Sequence, residues 1–233
     1  MKIARNAIFY LGVCCMPVLL FTSTICWEVN ALRLYEYGFD KYEISQATSI
    51  DRLQLKIIAQ HLIDYFNLKI NTAQIVVGEQ GGEFNLFNER ELVHLEDVRN
   101  LIQLDYWIQR GTLLLLIICL LVLFFGFNAG WRTVVKGLFW GSLVTVGLMS
   151  IIALWALFGF ERFFLLFHLV SFSNEYWILD PAKDYLIRLF PEGFFYDAAL
   201  LGFGAIILEA LLIGVITFVA LRVIGRGKIR GST

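Results

Sequence analysis

Four stretches of the chain are nearly unbroken runs of apolar residues: roughly Ala7 to Trp27, Gly111 to Phe127, Leu138 to Phe160 and Ala198 to Leu221. Each is close to the length of helix that spans ~30 Å of hydrocarbon. The pattern predicts an α-helical membrane protein with four transmembrane helices. Its organisation follows. Residues 1–27 are a cytoplasmic start and the first transmembrane helix, and 28–110 are an extracytoplasmic domain. Residues 111–160 hold the second and third transmembrane helices, 161–197 are an interfacial extracytoplasmic segment, and 198–233 are the fourth transmembrane helix and a cytoplasmic tail.

Lysine and arginine set the orientation. Lys2 and Arg5 precede the first run, Arg132 and Lys136 lie in the short loop between the second and third, and Arg222, Arg226, Lys228 and Arg230 follow the fourth. These places hold eight basic residues and no acidic one, whereas 28–110 and 161–197 together carry 19 acidic and 11 basic residues. The basic ends are therefore expected inside and the acidic segments outside, with both termini cytoplasmic. The first run is longer than the ~7–15-residue core of a signal peptide, and no A-x-A-like site follows it. Bulky Ile25 before Cys26 speaks against a lipobox. An uncleaved first helix is the expectation.

The large outer segment reads as a small α+β domain. From Ser49 to Phe66, the residues Leu53, Ile57, Ile58, Leu62, Tyr65 and Phe66 recur at helical spacing. Ile75-Val76-Val77 is a strand candidate, Gly78-Glu79-Gln80-Gly81-Gly82 a turn, and Phe84 to Phe87 the returning strand. Asn88 with Glu91 three residues on is a capping-box pattern. The helix it opens runs from Glu89 toward Arg110 and on toward the second crossing. The smaller outer segment is dense in aromatic residues, which favour the headgroup level. Within it Asp180-Pro181 reads as a helix start and Leu189-Phe190-Pro191 as its end, which predicts short helices lying in the membrane interface.

Composition fits this picture: 58% of the 233 residues are hydrophobic and 17% charged, against about 45–50% and 25% in average soluble proteins. A net charge of −1 with no basic, aromatic-interleaved patch argues against a nucleic-acid partner. Cys14, Cys15, Cys26 and Cys119 all lie in or at the edge of apolar runs and read as small hydrophobes rather than a disulfide framework. None has a neighbour at zinc-ligand spacing. Motifs for ATP, catalytic zinc, a serine nucleophile and a dinucleotide are missing from the chain. No metal or cofactor is expected.

Few residues are left to carry chemistry. His94 and Asp97 are three apart on a predicted helix and share a face. A carboxylate there would fix the imidazole tautomer, while the plainer reading is a surface histidine on a charged helix. His168 sits among aromatic residues on the same expected side of the membrane, so the two imidazoles could meet. The plainer reading there is an interfacial ring with a wet tip. His61 lies inside the amphipathic helix and reads as structural. Glu209 falls near the middle of the fourth crossing, where an ionisable group is costly, and is expected protonated or paired inside the bundle.

Three sequence motifs together resemble one family. They are Leu86-Phe87-Asn88-Glu89-Arg90-Glu91-Leu92-Val93-His94-Leu95-Glu96-Asp97-Val98-Arg99, then Phe167-His168-Leu169-Val170-Ser171-Phe172-Ser173-Asn174-Glu175-Tyr176-Trp177-Ile178-Leu179-Asp180-Pro181 with Leu189-Phe190-Pro191-Glu192-Gly193-Phe194-Phe195 behind it, and Tyr35-Glu36-Tyr37-Gly38-Phe39. The family is Lit, the lipoprotein intramolecular transacylases of Gram-positive bacteria. The likeness covers about half the chain. The family often has Met where this chain has Leu95, and both are apolar. The resemblance implies a cell-membrane acyltransferase with an extracytoplasmic active site and diacylglyceryl-modified lipoproteins and membrane lipid as partners. The sn-2 acyl chain would move to the α-amine of the same cysteine, leaving the lyso-form. Its two catalytic histidines would fall on His94 and His168. In the simplest scheme His94, oriented by Asp97, takes the amine proton and His168 donates to the oxyanion or leaving oxygen; the sequence equally allows the reverse. Asn174 and Trp177 are candidates for positioning the lipid head. The competing reading is a non-enzymatic membrane protein whose outer domain binds lipid or a partner.

Overall fold

The structure is a computed structural model that describes residues 1–79 and 82–230. It is mostly helical. In chain order it contains α1 (Lys2–Asn30), α2 (Leu32–Lys41), α3 (Ile44–Thr48), α4 (Arg52–Phe66), β1 (Val76–Glu79), β2 (Gly82–Asn85), α5 (Glu89–Leu121), α6 (Gly130–Ser171), α7 (Tyr185–Leu189) and α8 (Glu192–Arg230). Four of these, α1, α5, α6 and α8, are long and apolar enough to cross a membrane. The chain divides into two compact units.

The first unit holds Met1–Thr24, Tyr106–Leu154 and Leu201–Thr233, the apolar lengths of the four long helices. Small residues let these helices approach closely, as packing in lipid requires. A Cβ on Gly141 of α6 would come within 2.4 Å of the Met16 side chain on α1, and one on Gly214 of α8 within 3.0 Å of Ser142 Oγ. Cys15, Met16 and Leu116 form a buried cluster here. Polar side chains in this apolar setting are satisfied locally. Thr145 Oγ1 donates to Gly141 O at 2.8 Å and Thr217 Oγ1 to Ile213 O at 2.7 Å, while Gln109 Nε2 reaches Ser23 Oγ at 3.2 Å. Leu114, Ile151, Leu212 and Ile216 are outward-facing. In water such a surface would be an aggregation hazard; against lipid it is the expected one. A π-turn, Val122–Gly126, closes α5. Glu209 departs from expectation: it is exposed and makes no hydrogen bond or ion pair among the described residues. The heavily apolar sequence of α8 leaves its rotational phase unmarked, and packing turned this residue outward.

The second unit holds Ile25–Asp105 and Trp155–Leu200. Asp51 caps α4, its Oδ1 accepting from Leu53 N at 2.8 Å and Gln54 N at 3.0 Å. The buried stripe of α4 is Leu55, Ile58, Ala59, Leu62, Ile63 and Phe66 with Tyr65 beside it, whereas Leu53 and Ile57 are 68% and 52% exposed. The sequence pattern thus puts the apolar face partly out of phase. Both phases contain large apolar residues, and the packing partner, α2, decides between them. A hairpin forms, antiparallel with Val77 opposite Phe84, but its strands, Val76–Glu79 and Gly82–Asn85, reach into the segment expected to turn. Gly78, Glu79 and Gly82, anticipated in the turn, are strand residues because the ladder continues through the Gly78–Glu83 and Glu79–Gly82 pairs, and the rest of that turn lies outside the described residues. The Gln74 amide closes the hairpin's base through Phe87 O (2.7 Å) and Phe87 N (3.1 Å).

Two further features set the shape of this unit. The last part of α6 is set off by Gly159, whose φ of −151° and ψ of 45° are not helical. Phe160–Ser171 is thereby a separate helical arm. Asp180-Pro181 opens one turn rather than a helix. Asp180 Oδ1 accepts from Ala182 N at 2.9 Å, and the carbonyl accepts from Lys183 and Asp184 N–H. The helix that follows, α7, begins only at Tyr185 and ends before Phe190-Pro191 as expected. Two motif segments form a tight joint: a Cβ on Gly38 of α2 would come within 2.3 Å of the Phe194 ring, and one on Gly193 of α8 within 2.6 Å of the Tyr42 ring. Asp197 Oδ2 fastens that joint by accepting from Lys41 Nζ at 2.5 Å and Tyr42 Oη at 2.8 Å.

Candidate functional site

The start of α5 is fixed by side chains before it carries any chemistry. Asn88 Oδ1 accepts from Glu91 N at 3.1 Å, and Glu91 Oε2 accepts from Asn88 N at 2.8 Å. This is the reciprocal capping box that satisfies two orphan donors. The same carboxylate reaches further: its Oε1 accepts from Leu186 N on α7 at 2.6 Å. Glu91 is only 1% exposed. Asn88 Nδ2 in turn donates to Asp184 Oδ1 at 2.8 Å, and Asp184 Oδ2 accepts from Asp180 N at 2.6 Å. A buried polar network thus ties the first turn of α5 to the segment that follows α6. The capping box is visible in the sequence; its second partner on α7 and the role of Asp184 are not.

One turn beyond Glu91 lies His94, 7% exposed. On the α6 arm lies His168, 9% exposed. Their ring centroids are 6.2 Å apart with planes 30° from parallel. Two of the three histidines of the chain therefore converge from separate polar segments. Phe172 packs on both, its centroid 5.0 Å from His94 and 5.6 Å from His168. Phe164 stands edge-on to His168 at 4.4 Å, and the Trp177 indole lies at 4.9 Å with a 35° tilt. The third histidine plays another part: His61 Nε2 lies 3.1 Å from Thr72 O.

Hydrogen bonding distinguishes the two imidazoles. His168 Nδ1 is 2.8 Å from Phe164 O. A carbonyl only accepts, so Nδ1 carries the proton and Nε2 keeps its lone pair. His94 Nδ1 is buried and has no hydrogen-bond partner among the described residues. A buried polar atom left unpaired costs about 1–3 kcal/mol, so an incoming group that pairs with it is favoured.

No hydrogen bond joins His94 to Asp97, although the carboxylate is near enough to act on the ring through its charge. Asp97 Oδ2 accepts from Asn174 Nδ2 at 2.8 Å instead. Helical spacing put Asp97 within reach of His94, but a better-placed amide arrives from the loop after α6. Asn174 Oδ1 accepts from Tyr176 N at 3.0 Å, and Arg90 donates to Glu175 O at 2.6 Å. Together these bonds tie the loop bearing Trp177 to α5. Asn174 and Trp177 thus have distinct surroundings: the first clamps the loop, the second stacks on His168. Beside the clamp is a cleft of about 250 Å³ lined by Asp97, Asn100, Ser171, Phe172, Ser173 and Asn174, among others. No cluster of potential metal ligands occurs among the described residues.

Comparison with known proteins gives two findings and one blank. A family model described as lipoprotein intramolecular transacylase Lit matches residues 10–195. The solved structure of the membrane integral lipoprotein intramolecular transacylase Lit from Bacillus cereus superposes with a TM-score of 0.78 at 23% identity, covering 99% of this chain and 100% of that one. A variant of the same protein with one histidine replaced by arginine gives 0.73 at 23% identity, with 100% and 96% covered. A variant with alanine there gives 0.75 at 21%, with 95% of each chain covered. At these identities the structural likeness is one of fold. A search of curated protein sequences returned no match.

Proposed function

Since the chain belongs to the lipoprotein intramolecular transacylase Lit family, we propose that it moves the sn-2 acyl chain of a diacylglyceryl-modified N-terminal cysteine to the α-amine of that same cysteine. The observation that carries this reading is the paired, buried imidazoles of His94 and His168, 6.2 Å apart within an aromatic wall. Donor ester and acceptor amine sit on one molecule, so no acyl-enzyme is required. The amine nitrogen attacks the ester carbonyl carbon and gives up a proton. The bond from that carbon to the glyceryl oxygen breaks, and the oxygen takes a proton. Ester becomes amide and a free hydroxyl remains. The change is downhill and needs no ATP. Holding the two groups at near-attack distance supplies several kcal/mol of the barrier reduction.

The hydrogen bonds support a division of labour. His168, with Nδ1–H given to Phe164 O, has Nε2 free to accept the amine proton. The α-amine has a pKa near 8 and must be neutral to attack, which suits a neighbouring imidazole. The Trp177 ring offers a π-face to the cation that forms on His168. His94, whose Nδ1 lacks a partner and whose burial keeps the ring neutral, donates a hydrogen bond to the oxyanion, and the proton taken up by His168 passes to the leaving glyceryl oxygen, which returns both rings to their starting state. This reverses the simplest scheme read from the sequence. Asp97 and Asn174 act by holding the loop. The excess of lysine and arginine outside the two long polar segments supports an extracytoplasmic site with both termini cytoplasmic.

The test is mass spectrometry of lipoprotein N-terminal peptides from a host lacking other N-acylation, with and without this protein. The N-acyl, S-monoacylglyceryl form should appear only with it. His94→Ala and His168→Ala should each abolish that product. Failure of the product to appear, or its persistence in either variant, refutes the corresponding claim. Labelled phospholipid added as an outside donor should leave the peptide unlabelled; incorporation would point to an intermolecular transferase instead.

A further inference from the structure

We infer that the cleft beside the Asp97–Asn174 clamp receives the peptide main chain that follows the modified cysteine, and that it reads backbone rather than side chains. The inference rests on the transacylase reading. In that reading the substrate has three parts: acyl chains, the reacting ester and amine, and a polypeptide that must leave the imidazole pair through a polar opening. The cleft of about 250 Å³ adjoins the pair, although neither ring lines it. Phe172 belongs to both places, since it lines the cleft and packs on the His94 and His168 rings.

The lining carries uncharged groups that both donate and accept. Asn100, Ser171 and Ser173 make no side-chain hydrogen bond among the described residues, although all three line the cleft. An amide and two hydroxyls suit N–H and C=O groups, which recur in every peptide. The one ionisable side chain there, Asp97, has Oδ2 occupied by Asn174 Nδ2. Leu101 and Leu104 add apolar surface. Apart from that one half-engaged carboxylate, the lining has nothing that selects among uncharged side chains. It can still hold a peptide strand against α5, and so orient the α-amine that begins the strand.

The experiment uses the full-length protein in proteoliposomes and synthetic S-diacylglyceryl-cysteine substrates, with acyl migration followed by mass spectrometry. A five-residue lipopeptide should exceed the lipidated cysteine amide by about tenfold in kcat/KM, the worth of two net hydrogen bonds. N-methylating the peptide bonds after the cysteine should remove most of that advantage. Exchanging Ser, Thr or Gln at the second position should change turnover less than about twofold, within the usual range for surface substitutions. Asn100→Trp and Ser173→Trp, which fill the cleft, should bring the ratio of lipopeptide to cysteine amide close to one. Equal turnover of the two substrates by the unaltered protein overturns the inference, as does insensitivity to N-methylation or a tenfold ratio retained in both Trp variants. If neither substrate is converted, the transacylase reading itself fails.

Discussion

Replacing Glu91 tests whether the site is held from beneath by one buried carboxylate. Its two oxygens satisfy the N–H groups of Asn88 and Leu186 at 2.8 and 2.6 Å. Glu91→Ala leaves both buried donors unpaired, at about 1–3 kcal/mol each, or roughly 4 kcal/mol together. Glu91→Gln keeps one acceptor oxygen and turns an NH₂ group toward the other donor, so about half of that loss is expected. For a chain of this size each kcal/mol lowers Tm by about 2–4 °C. The alanine variant should therefore melt roughly 8–16 °C below the parent, and the glutamine variant roughly half as far. The assay is thermal unfolding of detergent-solubilised protein followed by tryptophan fluorescence. Because His94 lies one turn further along α5, kcat of both variants should also fall, measured at a temperature where each remains folded. Melting of both variants within ~2 °C of the parent would refute the assignment. So would a glutamine variant as unstable as the alanine one, since the expected difference depends on how many acceptors remain.

Further expectations concern single contacts. Gly38→Ala should destabilise the protein by about 1–3 kcal/mol through overpacking, because its new Cβ would meet the Phe194 ring at 2.3 Å. The same change at Gly111, where nothing lies within 4 Å, should be stabilising by roughly 0.5–1 kcal/mol; thermal melts of the two variants should move in opposite directions. Trp177→Leu should lower kcat by about 2–12-fold, the worth of an aromatic contact of about 0.5–1.5 kcal/mol, with Tm little changed and partial recovery in Trp177→Phe. Asn174→Asp, which sets two carboxylates face to face across the present 2.8 Å bond, should lower activity more than Asn174→Ala does at neutral pH. Its deficit should shrink as pH is lowered and the pair takes up a proton.

Features governed by short-range rules are legible in the amino-acid sequence of this protein. Hydrocarbon leaves no water for backbone groups, so a chain that crosses it must do so as long apolar helices, and four are present. The Asn88–Glu91 box depends on residues three apart in one turn, and it forms as the spacing predicts. The hairpin is likewise local. Scarcity narrows the chemistry, since a chain with three histidines offers few candidates. Features that depend on distant parts of the chain are decided by the tertiary structure alone. Leu53 and Ile57 share helical spacing with the residues that are buried, but only the packing of α2 on α4 decides which phase turns inward. Asp97 is near His94 in sequence, yet Asn174, from the loop after α6, takes its carboxylate. The approach of His94 to His168 is of the same kind. Spacing along one helix states which partners are possible, whereas competition among all neighbours in space selects the ones that bind.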